Sequence, residues 1–224
     1  MDLHLDLETI PTSRPDVMEE IKKSIKPPAT HKKVETIADW HRVEGPGATD
    51  AALRKTALEG TFGKICVIGW AIDDGDAQYL ANDKDEGSLL SEFHAILQRE
   101  LRRSDDYTVR VVGHNVSAFD LRFFIQRSIV HGIQPHICIA RAARAKSWES
   151  QVVFDTMIQW AGVGKTIKLD TLCKALGIES PKGELDGSKV WDWVNAGRIK
   201  EVGEYCMKDV AATRAVFKRM VYQS

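Results

Sequence analysis

An α/β domain carrying a five-stranded mixed sheet flanked by helices is the fold class this sequence predicts. Residues 3–8 alternate apolar and polar, Leu3-His4-Leu5-Asp6-Leu7-Glu8, the period of a strand with one buried face. Four further short apolar runs, near 64–71, 77–80, 109–112 and 151–154, lie among stretches of helical spacing. The first two of these are joined by Asp73-Asp74-Gly75-Asp76, a turn sequence, so the 64–72 run enters the sheet as an antiparallel member.

A chain of 224 residues can bury a proper core, and 1–224 reads as one domain with a helical insertion at about 12–62. The formal net charge of −1 excludes a generally basic protein, so contact with a polyanion requires a local patch or bound metal. Cys66, Cys138, Cys173 and Cys206 are scattered among apolar residues without a C-x-x-C pair. They read as buried reduced thiols, which sets a cytoplasmic expectation. With a structural strand at 3–8 no removable leader is expected, and the longest apolar run, Ile65 to Ile72, is too short to span a bilayer.

After Thr9-Ile10-Pro11 the strand ends, and three helices are expected over Arg14–Ile25, Lys32–Arg42 and Asp50–Glu59. Pro27-Pro28 and Gly45-Pro46-Gly47 separate them as stop signals. Sparse apolar residues leave this stretch either a helical excursion on the rim of the domain or a mobile loop. Ser88 to Arg102 repeats Leu89, Leu90, Phe93, Ile96, Leu97 and Leu101 at helical spacing. A helix runs to about His131, with Ser117 and Asp120 at capping-box spacing, so a local role for Asp120 is to cap its first turn. Lys168–Leu176 is a helix closed by Gly177, Ser188–Asn195 a short one bearing tryptophans, and Arg198 to about Tyr222 the long last helix. Val202, Cys206, Val210, Thr213, Phe217 and Met220 form its buried stripe.

Candidate chemistry starts on the first strand. Residues two apart share a strand face, so Asp6 and Glu8 present their carboxylates together. Like charges so placed repel unless a cation lies between them, and hard ions such as Mg²⁺ or Mn²⁺ take oxygen ligands. On the last helix Tyr205 and Asp209 are four apart and share a face. Taken alone they are a boundary residue beside a solvated one. Gly162-Val163-Gly164-Lys165-Thr166 resembles the tail of a phosphate loop, but Gln159 stands where that motif needs glycine. The seven histidines show no zinc spacing.

Asp6-Leu7-Glu8, then His114-Asn115-Val116-Ser117-Ala118-Phe119-Asp120, then Tyr205-Cys206-Met207-Lys208-Asp209, in that order, resemble the three motifs of the DEDD 3′–5′ exonuclease superfamily on the ribonuclease H-like fold. Glu204 stands where the histidine branch has its histidine, so the resemblance is to the tyrosine branch. With Val153-Phe154-Asp155 and Leu169 to Gly177, the chain looks most like stand-alone relatives of the proofreading exonuclease domain of family-B DNA polymerases. The likeness covers Met1–Pro11 and Gly63 onward, and the 12–62 stretch exceeds the usual connection.

The resemblance implies a metal-dependent 3′–5′ exonuclease releasing nucleoside 5′-monophosphates from single-stranded DNA. The alternatives are an exoribonuclease of the same fold, or an inactive nucleic-acid-binding subunit. It further implies that Asp6 bridges two divalent ions, Mg²⁺ or Mn²⁺, with Glu8 and Asp209 completing the first and Asp120 serving the second. Tyr205 would orient the attacking water. Thr9, Ile10, Asn115 and Phe119 are expected at the terminal nucleotide. The chemistry agrees, because two ions ~3.5–4 Å apart activate water and hold the leaving oxygen of a phosphodiester. Arg141, Arg144 and Lys146, followed by Trp148, form the densest basic stretch, and read either as a phosphate-tracking surface or as a solvated helix face. The expected partner is the 3′ end of a single strand, DNA before RNA, with no membrane and an unnamed replication or repair protein as a further possibility.

Overall fold

The computed structural model describes residues 1–101, 108–181 and 185–223. The position of Arg102, expected as the end of a helix, lies outside the described residues. Two compact units are present, Met1–Glu8 with Ile65–Ser224, and Thr9–Lys64.

The first strand, β1 (Asp2–Ile10), is longer than its alternating core because Thr9 and Ile10 continue it. It stands in the middle of a five-stranded sheet of order β3-β2-β1-β4-β5, with β2 at Lys64–Ile72, β3 at Gln78–Ala81, β4 at Arg110–Gly113 and β5 at Val153–Asp155. β4 runs parallel to β1, with Asp2 opposite Arg110 and His4 opposite Val112, and β5 runs parallel to β4. β2 and β3 are antiparallel, so the sheet is mixed as the turn at 73–76 requires.

Helices α4 (Glu86–Glu100), α5 (Asp120–His131) and α6 (Ile137–Ala142) pack with β1, β2 and β4 into the main core, where Leu3, Leu5, Leu7, Ile65, Ile68, Phe93 and Phe124 are buried. α7 (Thr156–Ala161), α8 (Leu169–Leu176), α9 (Val190–Asn195) and α10 (Ile199–Met220) complete the unit. The α10 stripe is buried at Val202, Cys206, Val210, Thr213 and Phe217 and widens to Ala212 and Val216, while Met220 is only half-buried near the fraying end. Two glycines let α10 approach the sheet. A Cβ at Gly203 would lie 2.2 Å from the Tyr79 ring, and one at Gly69 would lie 2.6 Å from the Cys206 sulfur. Both contacts are closer than a Cβ can tolerate, so the helix sits where only hydrogen fits. Among the described residues no helix is long and apolar enough to cross a membrane.

In the second unit, α1 (Pro15–Ser24), α2 (Val34–Val43) and α3 (Gly45–Lys55) match the three expected helices, with one difference. Gly45-Pro46-Gly47 opens α3 instead of forming a loop before it. Proline is compatible with a first turn, where its missing N–H would have had no partner. A short 3₁₀ turn, Thr56–Leu58, follows, and Thr12 N–H donates to Thr56 Oγ1 at 2.9 Å.

One buried feature lacks any local sequence signal. Glu86, 3% exposed at the start of α4, accepts from Arg127 Nη2 at 2.7 Å and from the Ile65 backbone N–H at 2.7 Å. It thereby ties α4, α5 and β2 together. Glu86→Ala removes one partner of a buried pair and leaves the guanidinium without this carboxylate, so equilibrium unfolding should register a loss of ~3–5 kcal/mol. Glu86→Gln, which keeps an oxygen for Ile65, should lose less.

Candidate metal centre

Asp6 and Glu8 sit on the same face of β1, and the parallel pairing of β4 carries the following loop toward them. That loop, His114 to Phe119, is held from β5. Asp155 is buried and accepts from Asn115 N–H and Ser117 N–H, both at 3.0 Å, and from Met157 N–H at the head of α7. Asn115 adopts a left-handed backbone, φ +62°, which asparagine tolerates better than bulkier residues. His114 bridges Thr156 Oγ1 at 2.8 Å and the Ile167 carbonyl at 2.9 Å. The carbonyl only accepts, so Nε2 carries the proton, and burial holds the ring's pKa below 6.5.

The helix expected to start at Ser117 starts at Asp120 instead, and no side chain caps it. The Ser117 hydroxyl is buried without a hydrogen-bond partner. Asp120 therefore does not act as a capping-box carboxylate. Its Oδ1 accepts from the Leu7 N–H of β1 at 2.9 Å, which places a third carboxyl against the Asp6–Glu8 strand.

α10 brings the fourth. Asp209 is 8% exposed and accepts the Tyr205 hydroxyl. One turn away Cys206 donates its S–H to Asp6 Oδ2 at 3.2 Å, with the Asp6 carbonyl at 3.5 Å. Oxygens of Asp6 and Glu8 and the Cys206 sulfur all fall within 4.8 Å of one another. The sequence marked Cys206 only as a buried thiol. Its place in phase on the α10 stripe gave no hint that its partner would be Asp6, 200 positions earlier.

The electrostatics are one-sided. Burial, followed by Asp209, Asp120 and Glu8, pushes the Asp6 carboxyl well above the usual carboxylate range. Burial, Asp209 and Asp120 do the same to Glu8. Asp120 is raised to about 8 by burial, against the opposing pull of its own and the Leu7 N–H groups. Asp209 is raised to about 6 by burial, with the Tyr205 hydrogen bond holding it down. Burial and the same carboxylates push the Tyr205 phenol upward, so in the ion-free protein it remains a donor. Among the described residues, none of the four carboxylates forms an ion pair with a lysine, arginine or histidine.

A charge linkage follows. Groups whose folded pKa exceeds the unfolded one stabilise the fold in acid and cost stability as pH rises through the folded value. His4 and His94, held down to about 4 chiefly by burial, and His114, lowered chiefly by burial, act in the opposite direction, mostly below about pH 7. Above about pH 7 the carboxylates dominate. The ion-free protein should melt at a lower temperature at about pH 8 than at about pH 7, and added Mn²⁺ should raise Tm more at the higher pH. A flat profile in differential scanning fluorimetry would count against the cluster's mutual repulsion.

The remaining expected residues divide. Phe119 packs on Phe123 with ring centroids 5.6 Å apart and is half-buried beside Asp120 in sequence. Thr9 and Ile10 belong to the second unit, where Thr9 Oγ1 donates to the Ala57 carbonyl at 2.7 Å and Ile10 is buried. Arg141, Arg144 and Lys146 lie away from the carboxylates. The Arg141 guanidinium donates to the carbonyl of Val109, just before β4, at the end of the sheet where Asp2 pairs with Arg110.

Comparison with known proteins agrees with this geometry. Residues 58–224 match the family model described as a predicted 3′–5′ exonuclease related to the exonuclease domain of PolB. Among solved structures, the family B DNA polymerase from the hyperthermophilic archaeon Pyrobaculum calidifontis superposes with a TM-score of 0.57 at 14% identity, over 99% of this chain. The chain spans 24% of that polymerase's length, and at this identity the likeness establishes the ribonuclease H-like fold. No curated protein matches the chain by sequence.

Proposed function

This chain belongs to the family of predicted 3′–5′ exonucleases related to the exonuclease domain of PolB, and we propose that it is a divalent-metal-dependent enzyme removing nucleoside 5′-monophosphates from the 3′ end of single-stranded DNA. The observation that carries this reading is the convergence of four buried or half-buried carboxyls with no cationic partner among the described residues. Such a donor set is costly unless a cation completes it, and oxygen-rich sets suit Mg²⁺ or Mn²⁺.

Asp6, Glu8 and Asp209 would hold one ion and Asp6 with Asp120 a second. Bound ions there would lower the pKa of an attacking water and offset charge on the leaving oxygen. The chain's own groups do the rest. Cys206 donates to Asp6 Oδ2, fixing the carboxylate shared by both positions. Tyr205 donates to Asp209, and its oxygen keeps lone pairs that can accept a hydrogen bond from a water beside it. The role this reading gives Tyr205 is to orient that water. Asn115 and Phe119, on the loop clamped by Asp155, would meet the terminal nucleotide.

The test uses 5′-labelled single-stranded DNA and RNA oligonucleotides with Mg²⁺, Mn²⁺ or EDTA. The reading expects a ladder shortening from the 3′ end of DNA, mononucleotide products, and silence in EDTA. Cleavage of RNA alone would transfer the substrate class to RNA, and undiminished cleavage in EDTA would reject the metal centre.

A further inference from the structure

The stretch after α6 occupies a place the proposed chemistry does not use. Arg141 fastens it to Val109, and Val152 accepts from Val111 N–H, so residues 141–152 wrap the ends of β4 and β5 where those strands begin. The carboxylates lie past the other end. In β1, Asp2 pairs with Arg110, and from Asp2 to Glu8 the strand climbs ~20 Å.

What faces solvent there is not an ordinary charged face. Trp148 is 72% exposed, and the Lys146 ammonium sits 5.1 Å from its ring centroid. Arg144 is exposed, and among the described residues neither Arg144 nor Lys146 pairs with a carboxylate through its side chain. In a chain with 31 basic and 32 acidic residues, two cations with no carboxylate partner among the described residues, beside an exposed indole, are a local departure. Next to them lies an open cavity of about 370 Å³ lined by Arg144 and the acidic Glu149 as well as by Ile137, Ala145 and Val152. Exposed aromatic surface flanked by cations is what single strands bind without sequence preference, bases stacking and phosphates pairing.

We propose that Arg144, Lys146 and Trp148 form a second contact for the substrate strand, engaged only by strands long enough to reach it from the carboxylates. The proposal rests on the single-strand exonuclease reading and adds a length requirement to it. A stacked strand advances ~3.4 Å per nucleotide, so ~20 Å corresponds to about six nucleotides beyond the 3′ end. Shorter strands should be cut without touching the patch.

The experiment compares a DNA strand of about four nucleotides with one of about twenty, using wild type, the double variant Arg144→Ala/Lys146→Ala, and Trp148→Ala. All three positions are on the surface, so folding is not at stake. For the long strand, Trp148→Ala should raise KM about tenfold, the effect of one lost stacking contact, with kcat unchanged. For the short strand KM should stay within about twofold of wild type. Binding of the long strand in EDTA, followed by fluorescence anisotropy, should show the double variant's log K against log salt flattened by ~0.7 per lost phosphate contact. Equal KM changes at both lengths, or no change at the longer, would overturn the second contact. If wild type cuts neither strand, the exonuclease reading fails separately. The anisotropy comparison still decides the patch, an unchanged slope and affinity removing it.

Discussion

Replacing Asp6 with asparagine is expected to abolish hydrolysis while leaving a folded protein. Asp6 is the carboxylate approached by all the others, and its raised pKa comes from burial first and from Asp209, Asp120 and Glu8 next. Asparagine keeps an oxygen for the Cys206 S–H, so the packing of α10 against β1 and Gly69 survives. What disappears is the charge that, in the proposed function, both cations would share. Loss of that ligand removes water activation and leaving-group stabilisation together, so the fall should reach ~10⁴-fold or more, beyond any single acid–base contribution. The same change removes one repelling charge from the ion-free cluster. At pH 8 without metal the variant should melt at least as high as wild type, the reverse of an ordinary core mutation. Turnover at the wild-type rate would remove Asp6 from the reaction. A lower melting temperature at pH 8 in EDTA would mean that the carboxylates are not in conflict.

Tyr205→Phe and Asp209→Ala should separate two roles on one helix face. Asp209→Ala deletes a ligand, so Mn²⁺ affinity and kcat should fall together at every pH. Tyr205→Phe keeps the ring and its packing but deletes the bond that holds Asp209 down. Its kcat should fall ~10²–10⁴-fold, the span of orienting and acid–base contributions. Mn²⁺ affinity should suffer near pH 6, because Asp209 then ionises less readily, and should recover by pH 8. Single-turnover cleavage and calorimetry at the two pH values read these outcomes. Full-rate cleavage by Tyr205→Phe would make Tyr205 a packing residue.

Periodicity carried most of the architecture into view. The alternation at residues 3–8 marked β1 and put Asp6 and Glu8 on one face, and the α10 stripe marked the helix that brings Asp209. α6 and α7 carry only six residues each, too short for an apolar repeat to register. The opening of α3 through Gly45-Pro46-Gly47 reads as a break because glycine and proline punctuate loops as readily as first turns. At the site, residue types were legible but partners were not. Asp120 looks like a local cap until the Leu7 N–H, 113 positions away, takes its oxygen. Asp155, which clamps the loop before Asp120, is an unremarkable strand end in the sequence, and Glu86 finds Arg127 only once α4 and α5 pack. Local sequence spacing carries no information about pairings of that range.

The central claim is that the four carboxyls are a cation site, and calorimetric titration of the wild-type protein with Mn²⁺ tests it without relying on turnover. The account predicts binding that strengthens from pH 6 to pH 8, because Asp209, raised to about 6, and Asp120, raised to about 8, must release protons to bind. It also predicts a marked loss of affinity in Asp6→Asn at both pH values. No heat of binding in the wild type, or Mn²⁺ affinity unchanged by Asp6→Asn, would contradict it.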